Sequence, residues 1–264
     1  MDSLKLLFLT VTQGITELLP VSSSGHILLF GSVMNISVTT VFLTTLHIGT
    51  TLAIILFFRK TLFKNFLSKN NRIFLLKILV GSIPAIIVGV FFEDYISNKL
   101  RAPFITALSL IVWGIVMIVI DRSKKSKGIE MESITFKKSL GIGMAQAIAL
   151  IPGTSRSGIT AIAGILLGLD KYSALQFSFL LGIPILLGSS VWSLGKELVK
   201  GNDFLTVIGI NDIWSILIMI LVPLAVGYVT LMVIEKFKKK NWLTVFGIYR
   251  IVIGLAILFL QYWS

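Results

Sequence analysis

Two stretches decide how this chain is read: Leu18-Leu-Pro-Val-Ser-Ser-Ser-Gly-His26 and Pro152-Gly-Thr-Ser-Arg-Ser-Gly158. Each interrupts an otherwise apolar region, at 4–34 and 139–169, with proline, small hydroxyl residues and glycine. Proline removes an amide donor and clashes with the preceding turn, so neither region can run as one straight helix. Each is a kinked span or a helix–loop–helix that re-enters on its own side. Broken backbone at membrane depth survives only where it is buried in protein or lines a wet cavity. These breaks are therefore the first place to look for function.

Working outward, windows of about 20 residues pick out six spans at 39–58, 73–92, 102–120, 173–195, 213–234 and 242–263. Composition agrees: 55% of the 264 residues are hydrophobic and only 14% charged, with a mean hydropathy of +0.94. A soluble domain carries roughly 25% charged residues, so this is a polytopic, all-α membrane protein. Cysteine is absent, which excludes disulfides, thiolate metal sites and cysteine nucleophiles. The N-terminus lacks the charged start and small-residue cleavage site of a signal peptide.

The two breaks resemble one another. Gly25 and Gly158 lie 133 residues apart, Phe42 to Ala53 parallels Phe177 to Gly188, and Pro84 to Gly89 parallels Pro223 to Gly227. An internal duplication is expected, with repeat 1 at about 1–121 and repeat 2 at about 139–264 of a single membrane domain. If both broken segments re-enter, each half holds three spans and the halves are inverted. Loops 59–77, 122–138 and 235–241 then share one side and hold most of the 24 basic residues. The opposite loops, 93–101 and 196–212, balance Lys99, Arg101, Lys196 and Lys200 against Glu93, Asp94, Glu197, Asp203 and Asp212. The positive-inside rule places the basic loops in the cytoplasm and both termini outside. The net charge of +12 thus reads as orientation, with no call for nucleic acid.

Ionisable groups within a bilayer are costly, roughly 2.5–3.5 kcal/mol each on insertion scales, and mark candidate sites. Glu17 is the one acid away from loops and segment ends; Arg156 and Arg250 are the intramembrane cations. Gln13 and Glu17 share a helix face at i, i+4 spacing, and Ser22, Ser23, Ser24 and His26 follow the break. The second break offers Ser155, Arg156, Ser157 and Thr160. Arginine presents a planar fork suited to phosphate oxygens, and a helix N-terminus favours an anion. One break supplies a carboxylate and nucleophile candidates, the other an anion clamp, which is what attack on a phosphate ester or anhydride requires. Hydroxyls in membrane helices commonly bond back to the backbone or join helices. His47, alone on an apolar helix, reads as a helix–helix contact, and Arg250 is as compatible with a structural role as with a functional one.

At these motifs the chain resembles the bacterial undecaprenyl-diphosphatase family of the bacitracin-resistance type. The resemblance is carried by Gln13-Gly-Ile-Thr-Glu17, the stretch through His26, and Pro152-Gly-Thr-Ser-Arg-Ser-Gly-Ile-Thr160, and extends over essentially the whole chain. It implies hydrolysis of a polyprenyl diphosphate lipid, undecaprenyl diphosphate, to the monophosphate, recycling the carrier of cell-wall synthesis at the bacterial plasma membrane. It also implies a divalent cation, Mg2+ or Ca2+, and a site opening to the outer face; a homodimer is compatible with it. By this resemblance Glu17 is the acid/base or cation-organising carboxylate, Ser23 the nucleophile, His26 its proton-transfer or orienting partner, and Arg156 the diphosphate clamp. Gln13, Ser22, Ser24, Ser155, Ser157 and Thr160 complete the phosphate site. Many members carry Glu where this chain has Gln13, which leaves the carboxylate role to Glu17 alone. The phosphatidic-acid phosphatase type needs a histidine six residues after its arginine; position 162 here is Ile. A lipid-carrier flippase or other inverted-repeat transporter is the competing reading.

Overall fold

The computed structural model describes residues 2–63, 68–123, 128–201, 204–208, 212–236 and 241–263. Lys64, Lys124, Lys125, Lys127, Lys238, Lys239 and Lys240 of the basic loops, and Asp203 of an opposite loop, lie outside them. The described residues form an all-helical assembly. In chain order the helices are α1 (Ser3–Thr16), α2 (Ser23–Val33), α3 (Thr40–Phe57), α4 (Arg59–Phe63), α5 (Lys69–Tyr95) and α6 (Pro103–Arg122). They continue as α7 (Phe136–Ile148), α8 (Arg156–Leu166), α9 (Lys171–Val199), α10 (Phe204–Ile208), α11 (Ile213–Lys236) and α12 (Trp242–Trp263).

Six helices, α3, α5, α6, α9, α11 and α12, are long and apolar enough to cross a membrane, and each contains or closely matches an expected span. The breaks fall where the sequence places them: α1 stops at Thr16 and α2 starts at Ser23, while α7 stops at Ile148 and α8 starts at Arg156. Pro84, Pro184 and Pro223 sit inside long helices without ending them. Neighbouring helices re-satisfy the freed backbone groups in such cases.

Packing joins the two halves of the chain. α1 lies along α11 and α7 along α5, α3 meets both α9 and α11, and α6 runs beside α12. Glycines allow the closest approaches. A Cβ at Gly143 would strike the carbonyl of Gly81, and Gly114 and Gly247 each face the other's carbonyl oxygen across the α6–α12 crossing. Small residues at such crossings let backbones pack where no hydrophobic driving force joins helices in lipid. Buried hydroxyls mostly bond back one turn, as Thr16 does to the Thr12 carbonyl and Thr45 to Val41. Others join helices: Ser139 donates to the Lys77 carbonyl, Ser190 to Thr44 and Ser82 to Leu181.

At one end of the bundle the Asp121 carboxylate is buried, accepting from Lys171 Nζ at 2.5 Å and from the Thr244 amide and hydroxyl at 3.0 and 2.6 Å. It ties the end of α6 to the starts of α9 and α12.

Candidate active site

The two breaks share an uncommon backbone. Ser22 and Ser155 have φ of 73° and 68°, a conformation that L-residues adopt only at a cost of about 1–3 kcal/mol. Each caps the helix that follows, its hydroxyl accepting from the amide of Gly25 or Gly158 at 3.3 and 3.2 Å. The glycines leave room for this: a Cβ at either position would press on the capping serine. The residue after the cap, Ser23 in one break and Arg156 in the other, is thereby set at a helix N-terminus.

The breaks meet. Ser157 Oγ donates to the Leu19 carbonyl at 3.2 Å. Arg250, fully buried, donates from Nη1 to the Pro20 carbonyl at 3.2 Å and from Nη2 to the Gly153 and Thr154 carbonyls at 2.6 and 2.9 Å. Its guanidinium thus satisfies carbonyls of both interrupted segments, and the role left open by the sequence is filled by backbone.

Glu17 is the centre of what they bring together. Its Oε2 accepts from Ser23 Oγ at 2.5 Å and from the Gln13 amide at 3.3 Å, and lies 3.6 Å from His47 Nε2. Its Oε1 pairs with Arg156 Nη2 at 2.8 Å. Arg156 also donates from Nη1 to the Ser178 carbonyl at 2.9 Å. Its guanidinium lies so close to α9 that a Cβ at Gly182 would collide with it. Nucleophile candidate, carboxylate and clamp therefore form one connected set.

This set lines a cavity of about 410 Å³. Ser22, Ser23, Ser24, Ser155, Arg156 and Ser157 bring two helix N-termini to its wall, beside Glu17 and His47. Ile86, Val90, Leu150, Ile185, Leu186 and Trp192 line it as well, with Arg101. Ile86, Val90 and Trp192 are exposed on the bundle surface, so the apolar part is open to the surroundings of the helices. The polar part can hold an anionic headgroup and the apolar part a hydrocarbon chain.

The other candidates fall elsewhere. His26 does not reach Ser23: its Nδ1 bonds the Ser22 carbonyl and its Nε2 the Tyr249 hydroxyl, both at 2.8 Å, with the two rings stacked. Thr160 turns to α9, bonding Ser178 Oγ at 2.6 Å and the Arg156 carbonyl. Ser178 donates in turn to the Ser157 carbonyl, so the pair props the first turn of α8. Gln13 is fully buried and leaves its Oε1 without a partner among the described residues.

His47, which on sequence reads as a helix–helix contact, faces Glu17; only the α1–α3 packing puts it there. Gln146 lines the cavity and stands outside both sequence motifs. The available signal was its distance from Gln13, 133 residues, the same offset as Gly25 and Gly158.

The model of the family described as Bacitracin resistance protein BacA matches residues 6–256. The chain belongs to the BacA family. Among its curated relatives, an undecaprenyl-diphosphatase of Enterococcus faecalis is 32% identical over 97% of this chain and 96% of the relative. Undecaprenyl-diphosphatase 1 of Clostridioides difficile (strain 630) is 36% identical over 98% and 96%, and undecaprenyl-diphosphatase 3 of Acinetobacter baylyi is 35% identical over 98% of each chain. In this BacA-family chain the family match takes in both breaks and every long helix up to residue 256, within α12.

Two expectations follow from the site's packing. Gly182→Ala should displace the Arg156 guanidinium and lower phosphate release by about tenfold or more, the worth of one hydrogen bond to a charged group. Gly195→Ala on the same helix, with open space around it, should keep wild-type turnover; equal rates for both variants would show that α9 does not seat Arg156. Arg250→Met should lower the melting temperature sharply, since each buried carbonyl left unpaired costs about 1–3 kcal/mol, and Arg250→Lys should fall between. Thermal unfolding in detergent measures this, and an unchanged melting point for Arg250→Met would remove the guanidinium from its bridging role.

Proposed function

We infer that this chain hydrolyses undecaprenyl diphosphate to undecaprenyl phosphate and inorganic phosphate, returning the lipid carrier to peptidoglycan synthesis. The observation that carries the chemistry is Ser23 Oγ, 2.5 Å from a carboxylate that also holds Arg156. The names of the relatives support the substrate, and a cavity with an anion-binding end and an apolar arm supports a lipid diphosphate. Such an activity also accords with the family's description in bacitracin resistance.

In the proposed reaction Glu17 takes the Ser23 proton as Oγ attacks the terminal phosphorus. The anhydride P–O bond breaks, lipid monophosphate leaves, and phosphate remains on Ser23. Water then attacks that phosphorus, releasing inorganic phosphate, and Glu17 returns the proton to Oγ. Arg156 and the amides at the starts of α2 and α8 stabilise charge on the non-bridging oxygens. Ser22, Ser24, Ser155 and Ser157 add hydroxyl contacts, while Thr160 holds the turn that bears Arg156. His26 supports the first turn of α2 through Ser22 and Tyr249.

A divalent cation fits here, shared between the protein and the substrate phosphates. Among the described residues no three acidic or histidine side chains cluster, but Glu17 lies beside Gln13, whose Oε1 is a buried acceptor without a partner. Mg2+ is commonly held by one or two carboxylates together with substrate phosphates. Glu17, which lines the cavity, would hold the ion with the diphosphate, where it would supply Lewis-acid stabilisation of phosphoryl charge.

The proposal extends to topology. We place both broken segments as re-entrant, in halves of inverted orientation within the bacterial plasma membrane. The reciprocal packing of α1 on α11 and α7 on α5 supports this, as do the matched caps at Ser22 and Ser155. The basic loops then face the cytoplasm. The cavity lies towards the opposite ends of α5 and α9 and opens to the outer face.

Purified protein in detergent should release phosphate from the lipid diphosphate without a second compartment, which a flippase alone would not do. Ser23→Ala should lose at least about a hundredfold in kcat, as nucleophile removal does in covalent catalysis, and a phosphoserine should be trapped at Ser23 in acid-quenched wild type. Near-normal turnover of Ser23→Ala would instead assign the attack to water. Because the chain has no cysteine, single cysteines report orientation directly. Ser126→Cys should react with an impermeant maleimide only from the cytoplasmic side and Lys200→Cys only from outside; the reverse pattern would invert the topology.

A further inference from the structure

Gln146 sits near the end of α7, in the second broken segment, and is about 1% exposed. It lines the cavity that holds Glu17 and Arg156. Both polar atoms of its amide, Oε1 and Nε2, are without a hydrogen-bond partner among the described residues. A buried amide with neither atom paired is destabilising, and native proteins seldom keep one without a use. The other polar side chains at helix contacts in this bundle show what a structural role looks like: Ser139, Ser82 and Ser190 each donate to a carbonyl of a neighbouring helix. Gln146 makes no such bond.

We propose that Gln146 is a substrate-binding residue whose amide Nε2 donates a hydrogen bond to the diphosphate of the lipid. The proposal rests on the reading of this cavity as a lipid-diphosphate site and adds to it a contact outside the two broken loops. Three observations converge on it: the residue lines the cavity, its amide is open, and it stands 133 residues after Gln13, the offset that relates the two caps. The chemistry is suitable. A neutral amide donor meets phosphate oxygens without adding a second cation beside Arg156, so it reads the position of the headgroup and does not neutralise the Glu17 carboxylate. Pairing with substrate also removes the penalty of the open amide, so that penalty is relieved only in the complex.

The full-length protein in detergent tests this with Gln146→Leu. Three quantities are needed: the melting temperature alone, its rise on adding farnesyl methylenebisphosphonate, a non-hydrolysable diphosphate analogue, and the steady-state constants with farnesyl diphosphate. Removing an unpaired amide should leave the melting temperature equal to or above that of wild type. The analogue-induced rise should be largely lost, and kcat/KM should fall by about tenfold or more, mainly through KM. A melting temperature well below wild type would make the amide structural and overturn the proposal. So would an analogue-induced rise and a kcat/KM within twofold of wild type. Gln146→Met, of similar length, takes the same measurements if the leucine variant does not fold. If wild type binds the analogue but hydrolyses nothing, the proposed reaction fails while the binding comparison still decides the role of Gln146.

Discussion

The structure depends on satisfying the backbone of two interrupted helices inside an apolar bundle. A helix interior takes care of its own amides and carbonyls, but the ends facing each other at 17–22 and 149–155 cannot. Part of the answer is local, in the serine caps. The rest comes from Arg250, whose guanidinium reaches the Pro20, Gly153 and Thr154 carbonyls from α12. A neutral side chain could not reach carbonyls of both breaks with so many donors. The same constraint that would unfold an unpaired break is what draws the two together. The first break alone places Ser23 beside Glu17, and its meeting with the second places Glu17 beside Arg156, so the site is a consequence of how the breaks are held.

This explains which parts were legible in sequence. The six spans and both interruptions follow from apolar length and from proline among small residues, which act locally. Glu17 and Arg156 stood out because charge in an apolar segment is expensive wherever the segment packs. His47 and His26 show the limit. Both are histidines near candidate catalytic groups in sequence or span, and their roles depend on which neighbour each ring faces. His26 lies three residues from Ser23, yet helix geometry turns it to Tyr249 on α12. His47 lies thirty residues from Glu17 and reaches it through the contact of α1 with α3. No local pattern encodes that exchange.

Gly182 carries the same lesson for packing. Glycine in a long apolar helix reads as a general allowance for close approach, and α9 has several. Only at Gly182 does the absent side chain leave the space taken by the Arg156 guanidinium. Arg156 is thus bounded on one side by bare backbone and on the other by the Glu17 carboxylate. Its Nε remains without a partner among the described residues. An arginine restrained in this way loses little further rotamer freedom on meeting a phosphate, and the saving favours bound substrate.

The offset of 133 residues also relates the two serine caps. Ser22 and Ser155 hold the same backbone and cap their helices in the same manner, but the next residue is Ser23 in one case and Arg156 in the other. One turn, used twice, therefore delivers a serine hydroxyl and a guanidinium to a shared cavity from different elements. At the offset from Glu17 stands Leu150, which lines the same cavity. A second carboxylate there would compete for Arg156, whereas leucine extends the apolar wall and leaves Glu17 as the one carboxylate among the described residues that line the cavity. Catalysis at a phosphorus centre needs unlike groups on different sides of it. Two turns with the same backbone at Ser22 and Ser155 supply such a pair, the Ser23 hydroxyl and the Arg156 guanidinium, on the wall of one cavity.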